Sequence, residues 1–343
     1  MTRKDYFARE EVSKSVLKEL SKDPRLAKQM IDGGFKKSTN ALDIGTALDT
    51  LMFDGYDALN LSFHNMSFEN PFPNATINMG KFMKALESLV LENPSNDYND
   101  LYQTAYDIAG IKKPDLESHI TMLKDSNALQ YLDDLKLSIG KIVLSSSDFA
   151  LIGCMRNSLM NSEYFGNLFR VPSIGVNSYK YGNNEEVLYQ HVIVWDGKKI
   201  MLDLVYINHN EKTIRPIDLK TTSENANSVN RSFITYGYHL QAGMYHDGVV
   251  HWANIEYPEY KVVNEFEFIF IDKRIDSVPF SITIKDDDLF KCKEGGKIRE
   301  EMVKGYKKLI EEYNYHKEIN NWTLPYDILF SGNNNKVIKL FDA

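Results

Sequence analysis

Between Met201 and Tyr245 the chain holds two aspartates, a lysine, a glutamine and a tyrosine at spacings that can do chemistry. Asp203 ends the run Met201-Leu202-Asp203. Asp218 and Lys220 lie in Ile217-Asp218-Leu219-Lys220-Thr221-Thr222, and Gln241 and Tyr245 follow. Side chains two apart on a strand share a face, so Asp218 and Lys220 point the same way. The polar linker Asn208-His209-Asn210-Glu211-Lys212 between two β-rich apolar runs signals a hairpin. A turn centred near Asn210 sets Asp203 opposite Ile217 or Asp218. Two carboxylates and an ammonium then converge in an apolar sheet, which is costly unless they are paired or bind a metal. Asp203, Asp218 and the Leu219 carbonyl suit a hard cation, Mg²⁺ with Mn²⁺ as the alternative. Such an ion acidifies a bound water and neutralises charge on a phosphate. Lys220 is expected to orient or deprotonate that water, because a buried ammonium readily shifts its pKa downward. Gln241 and Tyr245, four apart, share one helix face, where Gln241 can bond a metal water or a phosphate. The plainer reading of Asp218-x-Lys220 is a strand-end salt bridge. The upstream Asp203 and the downstream Gln-x-x-x-Tyr favour metal-dependent phosphodiester cleavage instead.

With these residues the chain resembles the PD-(D/E)XK nuclease superfamily, and within it the phage and prophage exonuclease VIII (RecE-like) nucleases. Further blocks carry the resemblance in family order: Val12-Ser13-Lys14-Ser15-Val16-Leu17 before Asp23-Pro24, and Ser38-Thr39-Asn40-Ala41-Leu42-Asp43-Ile44-Gly45-Thr46-Ala47-Leu48-Asp49. Tyr236 to Tyr245, Phe268-Ile269-Phe270, and Trp322 with Pro325-Tyr326 complete them, while residues 56–185 carry none. The resemblance implies a mixed α/β fold with a central β-sheet flanked by helices. It implies an ATP-independent 5′-to-3′ exonuclease that digests linear double-stranded DNA and leaves 3′ overhangs for phage-type recombination. It also implies a ring-shaped trimer or tetramer, a single-strand annealing recombination protein as partner, and the bacterial cytoplasm as compartment. That family carries a metal-binding His after Gly-Thr-Ala-Leu. Asp49 stands there in this chain and becomes a fourth metal-ligand candidate beside Asp203, Asp218 and Leu219, with Gly45 and Thr46 nearby. The family's Glu on the strand before the first Asp points to Glu186. A related endonuclease or helper nuclease, and a catalytically weak DNA-binding assembly protein, are the alternatives.

These residues need elements to position them. Apolar runs at 186–195, 199–207, 213–220 and 264–271 read as strands, with a weaker one at 279–284. Helices are expected over 9–31, broken at Asp23-Pro24, and over 41–53, where Gly45 and Asp49 share a face. Residues 60–78 are loop-like, 79–162 have mostly helical spacing, and 287–318 read as one long amphipathic helix. The whole of 1–343 is expected to form a single nuclease domain. A mostly helical insertion would span 56–185, giving a largely helical N-terminal half. The catalytic sheet and its covering helices would occupy 186–330.

Composition bounds the rest. The chain has 343 residues, 43% hydrophobic and 26% charged, as in ordinary globular proteins. No apolar run approaches the ~20 residues of a membrane span, and the first residues lack a signal peptide's apolar core. Cys154 and Cys292 are far apart, which suits a reducing compartment and excludes a four-cysteine iron–sulfur cluster. No His pair has zinc-ligand spacing and no P-loop is present. The net charge of −8 is compatible with an acidic shell around a local basic channel, with Lys22–Lys37 and Lys291–Lys308 as candidate basic stretches.

Overall fold

The computed structural model describes residues 3–34, 39–72, 76–169, 178–181, 184–229, 232–274, 278–298 and 301–332. Contacts within the chain divide it into two units, one of Met1–Ser38 with Met155–Ala343 and the other of Thr39–Cys154.

The first unit is built on a seven-stranded mixed sheet. Helices α1 (Lys14–Leu20) and α2 (Pro24–Ile31) precede it. Pro24 is the first residue of α2, where its missing N–H costs nothing, and the Asp23 side chain accepts from the Arg25 N–H. The sheet begins with β1 (Ser178–Tyr181), β2 (Glu185–Trp195), β3 (Lys198–Asn208) and β4 (Thr213–Thr222). Helix α3 (Tyr238–Glu256) then leads to β5 (Lys261–Val262), β6 (Glu265–Asp272) and β7 (Phe280–Lys285). The order is β1-β2-β3-β4-β6-β7, with the short β5 also beside β4. β4 and β6 run parallel, which requires a long crossover, and α3 supplies it. A helix that crosses a sheet and is itself covered is apolar on most sides. Leu240, Met244 and Val249 of α3 join Ile200, Val205, Ile214, Phe266 and Phe268 of the sheet in one buried core.

Two-residue turn chemistry sets the β2–β3 register. Asp196 and Gly197 have φ of +41° and +72°, the pair of left-handed residues that a type I′ hairpin demands. Trp195 therefore pairs with Lys198 and Glu186 with Ile207. The same turn anchors the N-terminal segment: the Val12 N–H donates to Gly197 O and the Lys199 N–H to Val12 O, both at 3.0 Å. Leu17 and Leu20 of α1 are buried in the sheet core.

The second unit has its own core, centred on Phe82, Leu86, Leu101, Leu123 and Leu132. Its bounds differ from the expected insertion at 56–185. It takes in the helix Asn40–Phe53 and ends before the first sheet strand. Two expectations fail locally. Residues 60–78 are not all loop, because Phe63–Met66 forms a parallel ladder with Ile142–Ser145. The continuous helix over 287–318 does not exist. It is split into α4 (Asp286–Glu294), an antiparallel pair of Gly295–Ile298 with Glu301–Lys304, and α5 (Tyr306–Glu318). Gly295, at φ +99°, ends the first helix in a conformation other residues adopt only under strain.

Candidate active site

Asp203 and Asp218 meet where the β3–β4 ladder ends. Leu204 is the last residue paired, with Ile217, so the next residues along are the two aspartates. Beyond this point β4 continues only with β6, through Asp218 against Phe268 and Lys220 against Phe270. The two strands part there, which leaves room for side chains between them. Both carboxylates are buried, at 8% and 2% exposure.

Each carboxylate is held in a defined orientation. Asp203 Oδ2 accepts from the Leu219 N–H at 2.9 Å, and its Oδ1 from Gln190 Nε2 at 2.9 Å. Asp218 Oδ1 accepts from Gln241 Nε2 at 2.6 Å, across from α3. Among the described residues, Asp218 Oδ2 has no partner besides the Lys220 ammonium, with which it forms an ion pair. Lys220 Nζ also donates to the Leu219 carbonyl at 3.3 Å. The expected convergence of Asp203, Asp218, Leu219, Lys220 and Gln241 is therefore present. Tyr245 lies one turn further along α3, buried, its ring edge-on to Phe266. Burial, Tyr6 and then the two aspartates push its phenol well above the ordinary range.

The charges here are not balanced as ordinary surface groups are. Burial and the neighbouring Asp203 push the Asp218 carboxyl up to about 7, against the pull of Lys220. For Lys220, burial works against the ammonium, but Asp218 and Asp203 outweigh it and hold its pKa above the usual lysine value. With both carboxylates beside it the ammonium is the favoured form of Lys220 here, the form that orients a water. The depressed lysine is Lys14, brought down to about 7 by burial and by the ammoniums of Lys220 and Lys18.

Two participants escape the sequence reading. Gln190 faces Asp203 across the hairpin, in a left-handed conformation at φ +47°, and its buried Oε1 accepts no hydrogen bond within the described residues. The Asp196-Gly197 turn contains the signal for it: the register it sets places Tyr189 against Leu204 and His191 against Leu202, which leaves Gln190 level with Asp203. Lys14 carries no comparable signal, because only the folded chain brings it to Asp218. Glu186, in contrast, goes elsewhere. It is four residues along β2 from Gln190, beside His209 Nε2 at 3.4 Å and Lys180 Nζ at 3.9 Å. Gly45, Thr46 and Asp49 lie on the helix Asn40–Phe53 of the second unit.

The basic stretches expected at Lys22–Lys37 and Lys291–Lys308 are largely neutralised. Lys22 pairs with Glu19, Lys28 with Asp32, Lys293 with Asp247, Lys304 with Glu312 and Lys308 with Glu311. Lys36, Lys37 and Glu300 lie outside the described residues.

Among the described residues no group of three or more His, Cys, Asp or Glu side chains is placed to hold a metal ion. A cation at this site would take two carboxylates and a backbone carbonyl instead. The residues fit such an ion. Two neighbouring buried carboxylates, one pushed towards neutrality by burial and then by the other, are the arrangement a divalent cation relieves.

No family model matches the chain, and no curated protein matches it. Among solved structures, a candidate exonuclease from Eubacterium rectale is similar at 12% identity and a TM-score of 0.46, over 100% of this chain and 96% of that one. A likeness at that level assigns neither chemistry nor substrate. No described helix is long and apolar enough to cross a membrane.

Proposed function

We propose that the chain is a metal-dependent deoxyribonuclease acting on linear double-stranded DNA. The observation that carries this reading is the Asp203–Asp218–Lys220 cluster: two buried carboxylates side by side at a strand divergence, with one ammonium on Asp218. Asp203, Asp218 and the Leu219 carbonyl would hold Mg²⁺. When bound, the ion supplies an acidified water and positive charge at the scissile phosphate. The protein residues do the rest. Gln190 and the Leu219 N–H lock Asp203, and Gln241 locks Asp218, so both carboxylates are preorganised. Lys220, kept cationic by its neighbours, orients a water or a phosphate oxygen and offsets the charge that develops there. The exonuclease mode, 5′-to-3′ with 3′ overhangs left behind, rests on the sequence resemblance alone.

The test is incubation with end-labelled linear and covalently closed circular duplex DNA, with Mg²⁺ or with EDTA. Linear DNA is consumed only with Mg²⁺, and closed circles survive. Rapid nicking of circles makes the protein an endonuclease, and cleavage in EDTA removes the metal from the reading. Asp49→Asn raises the Mg²⁺ concentration needed for half-maximal cleavage if Asp49 replaces the family's His ligand. An unchanged requirement removes Asp49 from the ligand set.

A further inference from the structure

Outside the carboxylate cluster, three lysines and two tyrosines interleave on one side of the site. Lys220 Nζ lies 5.9 Å from the centre of the Tyr238 ring. Lys14 Nζ lies 5.8 Å from the same ring and donates to the Tyr236 carbonyl at 3.0 Å. Lys18 Nζ lies 5.8 Å from the Tyr236 ring. The two rings are themselves 5.7 Å apart. The series Lys220, Tyr238, Lys14, Tyr236, Lys18 therefore runs outward from Asp218 to a tyrosine that is 50% exposed.

Like charges are not brought together without a reason. The anions that face Lys14 are Asp218, already paired with Lys220, and Glu19, already paired with Lys22. Glu224, which faces Tyr238, accepts a hydrogen bond from Ser232. The N-terminus of α3, at Tyr238, adds the positive end of a 19-residue helix. Ammoniums alternating with aromatic faces match a nucleic-acid single strand, whose phosphates and bases alternate in the same way.

We propose that Lys14 and Lys18 bind successive phosphates of a single nucleic-acid strand leading to or from Asp218, with Tyr236 stacking on a base between them. This deepens the nuclease reading and rests on it for the direction in which the strand points. The chemistry shared by the candidates is a phosphate on a strand, either an internal diester or a terminal monoester.

The experiment is binding of a fluorescent single-stranded oligonucleotide, with and without a terminal phosphate, in EDTA over a range of salt. The proteins are wild type, Lys18→Ala, Lys14→Met, Lys14→Arg and Tyr236→Ala, each checked by thermal unfolding. Removing each lysine weakens binding and lowers the slope of log affinity against log salt by about 0.7. Lys14→Arg restores both, and Tyr236→Ala weakens binding about fivefold or more with no change in slope. If Lys18→Ala and Tyr236→Ala, folded, bind with wild-type affinity and slope, the inference is wrong, whatever Lys14→Met does to folding. An effect of the terminal phosphate that disappears in the lysine variants identifies a monoester site. An equal loss on both oligonucleotides identifies an internal diester. Lysine-dependent binding without cleavage overturns the nuclease reading alone. Cleavage with lysine-independent binding overturns this inference alone.

Discussion

Asp218 is the residue on which the site turns, because its carboxyl is pushed from 3.8 up to about 7 by burial and by Asp203. Below pH 4 it is neutral in the folded and the unfolded chain. Between about 4 and about 7 the unfolded chain releases the proton and the folded chain keeps it, so stability falls as pH rises through that window. In EDTA, wild type should lose more melting temperature between pH 5 and pH 8 than Asp218→Asn, which has no proton to release. Parallel curves for the two proteins would show that Asp218 is not strained. If Asp218 holds Mg²⁺ as proposed, the same proton must leave before it can act as a ligand, so the metal requirement should fall as pH rises from 6 to 8. Asp218→Ala should abolish cleavage and leave the fold intact, since the crowding is relieved. Gln190→Ala removes the donor on Asp203 Oδ1 and should reduce turnover about 10- to 100-fold, the usual effect of losing a group that orients a metal ligand. Wild-type turnover in that variant would reduce Gln190 to a packing residue.

At the scale of elements, the β2–β3 turn and the β3–β4 divergence together make the site. The type I′ turn at Asp196-Gly197 sets which β2 residue faces Asp203, and the end of the ladder at Leu204–Ile217 opens the gap in which the carboxylates meet. Gly197→Val places a β-branched side chain at φ +72° and should destabilise the protein by about 1–2 kcal/mol. Thermal unfolding measures this, and an unchanged melting point would mean that the turn relaxes to another type. The parallel β4–β6 pair brings α3 over the sheet, and with it Gln241 to Asp218.

At the scale of the molecule, each unit holds a separate apolar core, so each should respond to its own core mutations. Phe82 is fully buried in the second unit, and Phe82→Ala should cost about 3–5 kcal/mol there. Faster hydrogen exchange across residues 76–137 reports it, and unchanged exchange would mean that the cavity collapses without cost. The net charge of the chain is −8, and on the helices Lys28, Lys291, Lys293, Lys307 and Lys308 are each paired with a carboxylate one turn away or on a neighbouring element.

Much of this was legible in the sequence. Strand periodicity, the polar linker near Asn210 and the two-residue spacing of Asp218 and Lys220 are local, and local physics alone brings Asp203 to Asp218 and turns Lys220 to the same face. The helical spacing of Gln241 and Tyr245 is local too. The pairing of Gln190 with Asp203 was also encoded locally, in Asp196-Gly197. What only the tertiary structure decided depends on contacts between distant segments. Lys14 reaches the site from more than two hundred positions away because Leu17 and Leu20 bury α1 against the sheet. Glu186 is directed to His209 by register, not by residue type. The cationic state of Lys220 is a balance between burial, which disfavours the ammonium, and two carboxylates, which hold it. That balance exists only once the strands part and enclose all three charges.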